Sequence, residues 1–546
     1  VILALSLALA LGAGDLDAGT AASAAEPDAG VLDAGPAPIP AVAPANPAAP
    51  PAARNGPSNA RPPAAEEIPS DAAPRPSEQE MFGVPETPAE NVAPAKVFGI
   101  DVGGSGDKSA PASATSRSEE LLNAKLPYQV TDLAPDNPLT IGGLLYLRSQ
   151  LSASQNQPPS QYLLSAPFLL DTYLDARPND RVRAFFLVRT EFDPTYNPNQ
   201  PSQYGITLTP VSNPLFLIDQ MWIKFDVARK VFVTAGRQHV KWGTAHFWFP
   251  NDLLNPVKLQ PLAVFDERTG VTMLKANLPL PNENLNVYAM GLFEGLQQAN
   301  TLGTLGGAAR AEYVLGSVEA GIDMVSTLGQ HNRYGGDVSF GIWDFDLYAE
   351  GALTDGRDNP LWRETYGAQF CIPGPTQSFN PECYQQYNPS GYQGQVAAGL
   401  NYAVRYGNNR TITFGGEYFY NGLGYTTPSI YPWLLLNNDA TFFYLGQQYA
   451  GVYILAPQPG SWYNSTFNFS TLSNLSDQTF ISRIDFFQQV LTHLRFEAFV
   501  DVHYGGVGEL HFSLNTPAFN FDGVSIPAIT VSSPIFDVGL ALRVSL

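Results

Sequence analysis

The sequence predicts an all-β fold, a transmembrane antiparallel β-barrel of about 16 strands within a range of roughly 14 to 18, preceded by a disordered Pro/Ala-rich segment. Three observations predict it. Ser533 to Leu546 (SPIFDVGLALRVSL) alternates to its last residue: Phe536, Val538, Leu540, Leu542, Val544 and Leu546 share one parity, and Asp537, Gly539, Ala541, Arg543 and Ser545 the other. Such a period of two, one face greasy and one polar, suits a strand between lipid and a wet lumen. Second, only 14% of residues are charged while 44% are hydrophobic and 12% aromatic; soluble proteins carry roughly 25% charge. Third, no run of about 18 apolar residues follows the N-terminal stretch, so helices do not supply a membrane crossing.

Taken in order, residues 1–25 (VILALSLALALGAG and the small residues after it) resemble the apolar core and cleavage region of a secretory signal peptide. The first residue is not Met and no basic region precedes the apolar run, so the leader is expected to be truncated at its start. Residues 26–138 are expected to be a disordered periplasmic linker. Residues 1–138 hold 21 of the 47 prolines but only three of the 64 aromatics, Phe82, Phe98 and Tyr128. A segment so poor in apolar bulk cannot offset its ordering entropy and stays extended.

Residues 139–546 are expected to form the barrel. Val182, Ala184, Phe186, Val188 and Thr190 oppose Arg181, Arg183, Arg189 and Glu191; Leu494, Phe496, Ala498, Val500 and Val502 oppose Arg495, Glu497 and Asp501. Connections alternate between short (near 176–180, 228–230, 280–284, 315–317, 342–344, 406–409 and 491–493) and long (near 150–162, 194–215, 241–266, 296–306, 328–333, 355–393, 422–476 and 506–533). Short turns on one face and long loops on the other are the habit of outer-membrane barrels. Cys371 and Cys383, the only cysteines, flank a Pro/Gly-rich stretch in one long loop and are expected to form a disulfide.

Ala235 to Pro256 reads AGRQHVKWGTAHFWFPNDLLNP. Arg237, His239 and Lys241 share a parity and are expected to make a basic ladder, with Trp242, Phe247, Trp248 and Phe249 packing beneath it. Pro250, Asn251, Asp252, Asn255 and Pro256 are turn residues. The segment resembles the Gly-Arg-Gln…Trp-Gly…Pro-x-Asp-x-x-Asn-Pro pattern of porin-like outer-membrane proteins, including alginate-export-type barrels. That resemblance implies a loop at the pore mouth that folds inward, with Arg237, Lys241 and Asp252 lining or shaping a constriction. The plain alternative is that Arg237 and Asp252 pair and pin the loop.

On the polar parity, Arg183, Arg189, Glu191, Asp323, Glu350, Glu417, Arg495, Glu497 and Asp501 are expected to face the lumen, because a charge at the lipid midplane costs roughly 2–4 kcal/mol. Interleaved charges of both signs suit small polar or anionic solutes. The leading expectation is therefore a porin-like channel in the bacterial outer membrane, for small solutes or an exported polymer. The alternative is a barrel that anchors an envelope-spanning machine for export, adhesion or gliding, with residues 26–138 engaging periplasmic partners. Lipid and lipopolysaccharide are the expected surroundings, and the chain could form a homo-oligomer. A formal charge of −21 speaks against nucleic acid. No cofactor or metal motif is present and no enzyme is expected. His511-Phe512-Ser513 is similar to the His-x-Ser pairing of outer-membrane phospholipases, and Asp501/His503 to an omptin-like pair. With Leu510, Phe512 and Leu514 expected toward lipid, however, His511 and Ser513 would point away from it.

Overall fold

The computed structural model describes residues 138–545, apart from 197–212, 256–260, 263–269, 294–304, 357, 359, 366–382, 407–409, 438, 517, 522–523 and 527. The expected leader, linker and Cys371 lie outside these residues. No helix among those described is long and apolar enough to cross a membrane.

Eighteen antiparallel strands close into a cylinder. The first six are β1 (Leu139–Ser154), β2 (Phe168–Asn179), β3 (Val182–Phe192), β4 (Leu215–Val227), β5 (Val231–Gln238) and β6 (Val271–Leu280). Next come β7 (Leu285–Leu292), β8 (Gly306–Leu315), β9 (Val318–Thr327), β10 (Arg333–Ile342), β11 (Phe345–Asp355) and β12 (Tyr392–Tyr406). The last six are β13 (Arg410–Asn421), β14 (Gln448–Pro457), β15 (Ser465–Asn474), β16 (Thr479–Leu491), β17 (Leu494–Gly505) and β18 (Pro534–Ser545). β18 pairs with β1 from Leu144↔Ser545 to Ser154↔Pro534, with one irregularity between Ala153 and Ser154, which removes both free edges. A three-residue strand, Leu163–Ser165, adds to β1 beyond its pairing with β2 and is not a stave of the cylinder.

The count exceeds the central expectation of 16 for one reason. The stretch 422–476, expected to be a single loop, contains the hairpin β14–β15. Its alternation is masked by inward Tyr449 and Tyr453 on β14, and by Asn468, Ser470 and Asn474 facing Thr471 and Ser473 on β15. Aromatic and polar residues stand on both parities there, so a hydrophobic period of two does not register. The other connections fall where the sequence places them. All turns on the face that carries both ends of the barrel are short; the other face carries the long connections together with the short turns 328–332 and 475–478.

Side chains follow the pleat. Outward positions are exposed and apolar, as at Ile141, Phe216 and Ile322 (66%, 68% and 69% exposed). Inward positions hold most of the buried charge. Several inward aromatic rings lie flat against the wall because the residue directly across the ladder is glycine: Tyr173 over Gly142, Tyr348 over Gly399, Tyr453 over Gly415 and Phe499 over Gly539. A Cβ at Gly399 would stand 2.3 Å from the Tyr348 hydroxyl, in space the ring already fills. Gly399→Ala should therefore destabilise the barrel by roughly 1–3 kcal/mol through overpacking. Gly307→Ala, whose Cβ would meet nothing nearer than 3.7 Å, should change stability by less than about 0.5 kcal/mol. Urea unfolding of the lipid-folded barrel reads both.

Candidate functional site

The connection from β5 to β6 turns into the cylinder instead of rising from it. Val240, Trp242, Phe247, Trp248, Phe249, Leu253 and Leu254 are all buried. Elsewhere a backbone run entering a barrel would strand its N–H groups, and here two wall carboxylates accept them. Glu350 of β11 accepts from the N–H groups of Thr244 (2.6 Å), Ala245 (2.8 Å) and Asn251 (3.2 Å). Glu417 of β13 accepts from His246 (2.7 Å), Phe247 (3.2 Å) and Trp248 (2.8 Å), and from the Tyr348 hydroxyl (2.8 Å). Successive N–H groups converging on an anion form a backbone nest. Gly243 makes the approach possible: its φ is +99°, and a Cβ there would lie 2.3 Å from Glu350 Oε2.

Side chains complete the docking. The Trp248 indole stacks on Phe419 (5.7 Å between centroids, 13°) and donates to the Phe443 carbonyl at 3.0 Å. His246 stacks on Tyr453 at 4.0 Å, and Phe247 covers Gly451. Asn255 closes the base of the loop by donating to the Val240 carbonyl (2.9 Å) and to Asp252 (2.6 Å). At the tip, Asn251 donates to Asp337 of β10 at 2.8 Å. Asp337 belongs to a buried set in which Arg310 meets Glu312 (2.8 Å), Asp323 (2.8 Å) and Asp337 (2.7 Å).

The remaining wall carries the other expected residues. Arg189 is buried in a two-bonded pair with Asp171, both contacts at 3.0 Å. Arg183 pairs with Asp175 at 2.9 Å and lies over Trp222. Glu191 is half-buried on the same parity. Arg495 and Arg543 share Glu497 (3.2 and 2.9 Å), and Arg483 joins Asp501 (3.0 Å) while covering Phe499. Lys241 is exposed, with its ammonium 4.2 Å from the Phe249 ring. His239 meets Asp219 at 2.8 Å. Asp219 faces inward only because a bulge in β4 inserts it between Ile218 and Gln220.

Arg237 requires a correction. It stands opposite Met221 and Thr272, on the outward parity of β5, whereas Thr234, Gly236 and Gln238 take the inward one. The strand ends at Gln238, so the shared parity of Arg237, His239 and Lys241 does not make one ladder. The residues that sequence reasoning missed as a pair are Glu350 and Glu417, which it placed in the lumen without the backbone they hold. Leu510, Phe512 and Leu514 also differ from expectation: they are buried against the inward loop and the long connections instead of facing lipid. His511 donates to the Gly506 carbonyl at 2.9 Å, and His503 sits between Asp537 (3.2 Å) and the Leu510 carbonyl (2.7 Å).

Three long connections pack over this side of the mouth. Tyr384, Tyr431, Trp433, Leu434, Leu445 and Val531 form one apolar cluster, which includes the buried Cys383. Glu509 fastens it from beneath, accepting from the Leu445 N–H (3.1 Å), the Tyr449 hydroxyl (2.6 Å) and the Asn474 amide (2.8 Å). Burial pushes the Glu509 carboxyl up to about 7.

No known protein family matches this chain, and no curated protein does. Among solved structures, OccAB1 of Acinetobacter baumannii aligns over 75% of this chain and 97% of its own length, at 12% identity and a TM-score of 0.43. A triple mutant of the Rhodopseudomonas blastica porin aligns over 75% of this chain and all of its own, at 10% identity and a TM-score of 0.35. The likeness is loose, and the architecture rests on this chain's own strand pairing.

Two predictions arise from these contacts. Glu417→Ala leaves three N–H groups and a hydroxyl without their acceptor, each orphan costing about 1–3 kcal/mol. Amide exchange across 244–249 should accelerate at least about tenfold while the strands stay protected, as read by hydrogen-exchange mass spectrometry. Glu509 has a folded-state pKa above its free value, so its contribution is complete below the free carboxyl range and is lost as pH rises through about 7. Exchange in the cluster over the mouth should be slower at pH 5 than at pH 8 after correction for intrinsic rates, and Glu509→Gln should remove that difference.

Proposed function

We propose that the chain is an outer-membrane channel for small solutes, narrowed at mid-height by residues 239–255 and biased toward anions. One observation carries this reading. The docked segment lies on the acidic side of the lumen, where Glu312, Asp323, Asp337, Glu350 and Glu417 are buried by Arg310 and by backbone N–H groups. Along the inward parity of the described strands and the docked loop, the cations still open to solvent are Arg148, Arg177, Arg183, Lys224, Lys241, Arg333 and Arg405; the open carboxylates are Glu191, Asp226, Asp346 and Asp537. Carboxylates removed from water behind the loop contribute less to the path a solute meets than accessible cations do. The wet face left to a solute is therefore mainly positive.

The apolar outer belt suits lipid, and the short-turn face suits the periplasm. Residues 1–25 then act as the export leader, 26–138 as a periplasmic linker, and Cys371–Cys383 as a disulfide in an outer loop. In the stretch that resembles alginate-export-type barrels, Gly243 and Asn255 have definite tasks here, the first clearing space for Glu350 and the second closing the loop base. An anionic polymer or its fragments would suit such a path.

Planar-bilayer recording tests the proposal. In a salt gradient the purified protein should conduct with a reversal potential of anion-selective sign, and Lys241→Glu should lower the anion-to-cation permeability ratio by roughly twofold or more. A protein that inserts but stays electrically silent would overturn the channel and favour the anchoring role.

A further inference from the structure

The tip of the inward loop meets the wall through a contact that leaves two buried acceptor oxygens unmatched. The Asn251 amide lies between two carboxylates, Asp323 of β9 and Asp337 of β10. Its Nδ2 donates to Asp337 at 2.8 Å. Its Oδ1 and the Oδ1 of Asp323 are both buried and both lack a hydrogen-bond partner. Both oxygens lie within 2.3 Å of the point a Gly335 Cβ would occupy, so two acceptors sit side by side over that glycine. Turning the amide does not help, because its carbonyl oxygen would then face Asp337. In either orientation one carboxylate looks at an acceptor, and an acceptor pair shielded from water is costly.

The charges around the contact point the same way. Arg310 is the cation bonded to Asp323, and it also serves Asp337 and Glu312. Glu312 in addition accepts from the Tyr288 hydroxyl at 3.1 Å, and Glu350 approaches from β11 through the Asn251 N–H. Asn251 itself is fully buried. The Arg310 guanidinium is shared among three carboxylates, with a fourth behind the loop.

We infer that Asp323 and Asn251 form a proton latch: Asp323 carries a proton, its O–H donates to Asn251 Oδ1, and this bond locks the tip of the inward loop to the wall. Loss of the proton sets a carboxylate against the amide oxygen and a second carboxylate, and releases the tip. The latch is therefore closed at lower pH and opens as pH rises. Its effect on conduction rests on the channel reading above; the proton does not.

Two readouts keep those apart. Infrared difference spectra of the lipid-folded protein, wild type minus Asp323→Asn at pH 5, should show a protonated buried carboxyl component that shifts in deuterium oxide. Absence of that component from the difference spectrum would overturn the latch whether or not the barrel conducts. In Asp323→Asn the amide can donate at every pH, so hydrogen exchange at 249–253, after correction for intrinsic rates, should lose the rise with pH that the wild type shows. An equal rise in both proteins would also overturn it. Asn251→Leu, which leaves Asp323 in place, should free the tip at all pH values and serves as the second variant if Asp323→Asn fails to fold.

Discussion

The barrel's interior depends on two carboxylates holding a length of backbone. Glu350 and Glu417 stand mid-strand on β11 and β13, and between them accept the N–H groups of Thr244 to Trp248 and of Asn251. Neither side can be buried alone: anions inside a barrel wall need donors, and irregular backbone inside a barrel needs acceptors. Each supplies what the other lacks. Around that exchange the aromatic packing of Trp248, Phe247 and His246 adds apolar burial and fixes the orientation of the segment.

The same exchange decides what a solute would meet. Carboxylates engaged behind the loop are withdrawn from the lumen, and the rings flattened over Gly142, Gly399 and Gly539 leave space beside them for the charged side chains of the same inward parity. On the wall of β16 to β18, Arg483, Arg495 and Arg543 are matched by Asp485, Asp501 and Glu497. That wall is nearly neutral. The proposed bias toward anions rests instead on more open positions such as Lys241 and Arg183.

Much of this is written in the chain. Alternation gave sixteen of the eighteen staves, and short turns such as 228–230 and 315–317 fall where the sequence puts them. The missing hairpin carries tyrosines and asparagines on its lumen parity, where a hydrophobicity pattern has nothing to read. At the site, the aromatic core of residues 242–249 was legible from composition. The inward turn of Asp219 was not, because a bulge changes parity without leaving a mark in the sequence. The outward position of Arg237 was legible, because it shares the parity of Val231, Val233 and Ala235; that the strand ends at Gln238, so that His239 and Lys241 no longer follow this parity, was not. Glu350 and Glu417 were visible as lumen charges; their partners are main-chain groups, and no side-chain pattern announces those.

A covalent test of the inward segment bears most directly on this account. His246 and Tyr453 stack with centroids 4.0 Å apart, so the two thiols of a His246→Cys/Tyr453→Cys protein should be bridged by a short thiol–thiol cross-linker such as dibromobimane, joining the loop peptide to β14 in mass spectrometry. If the two peptides stay unlinked while the thiol introduced at position 246 reacts rapidly with a membrane-impermeant maleimide, the segment does not lie inside the barrel and the account is contradicted.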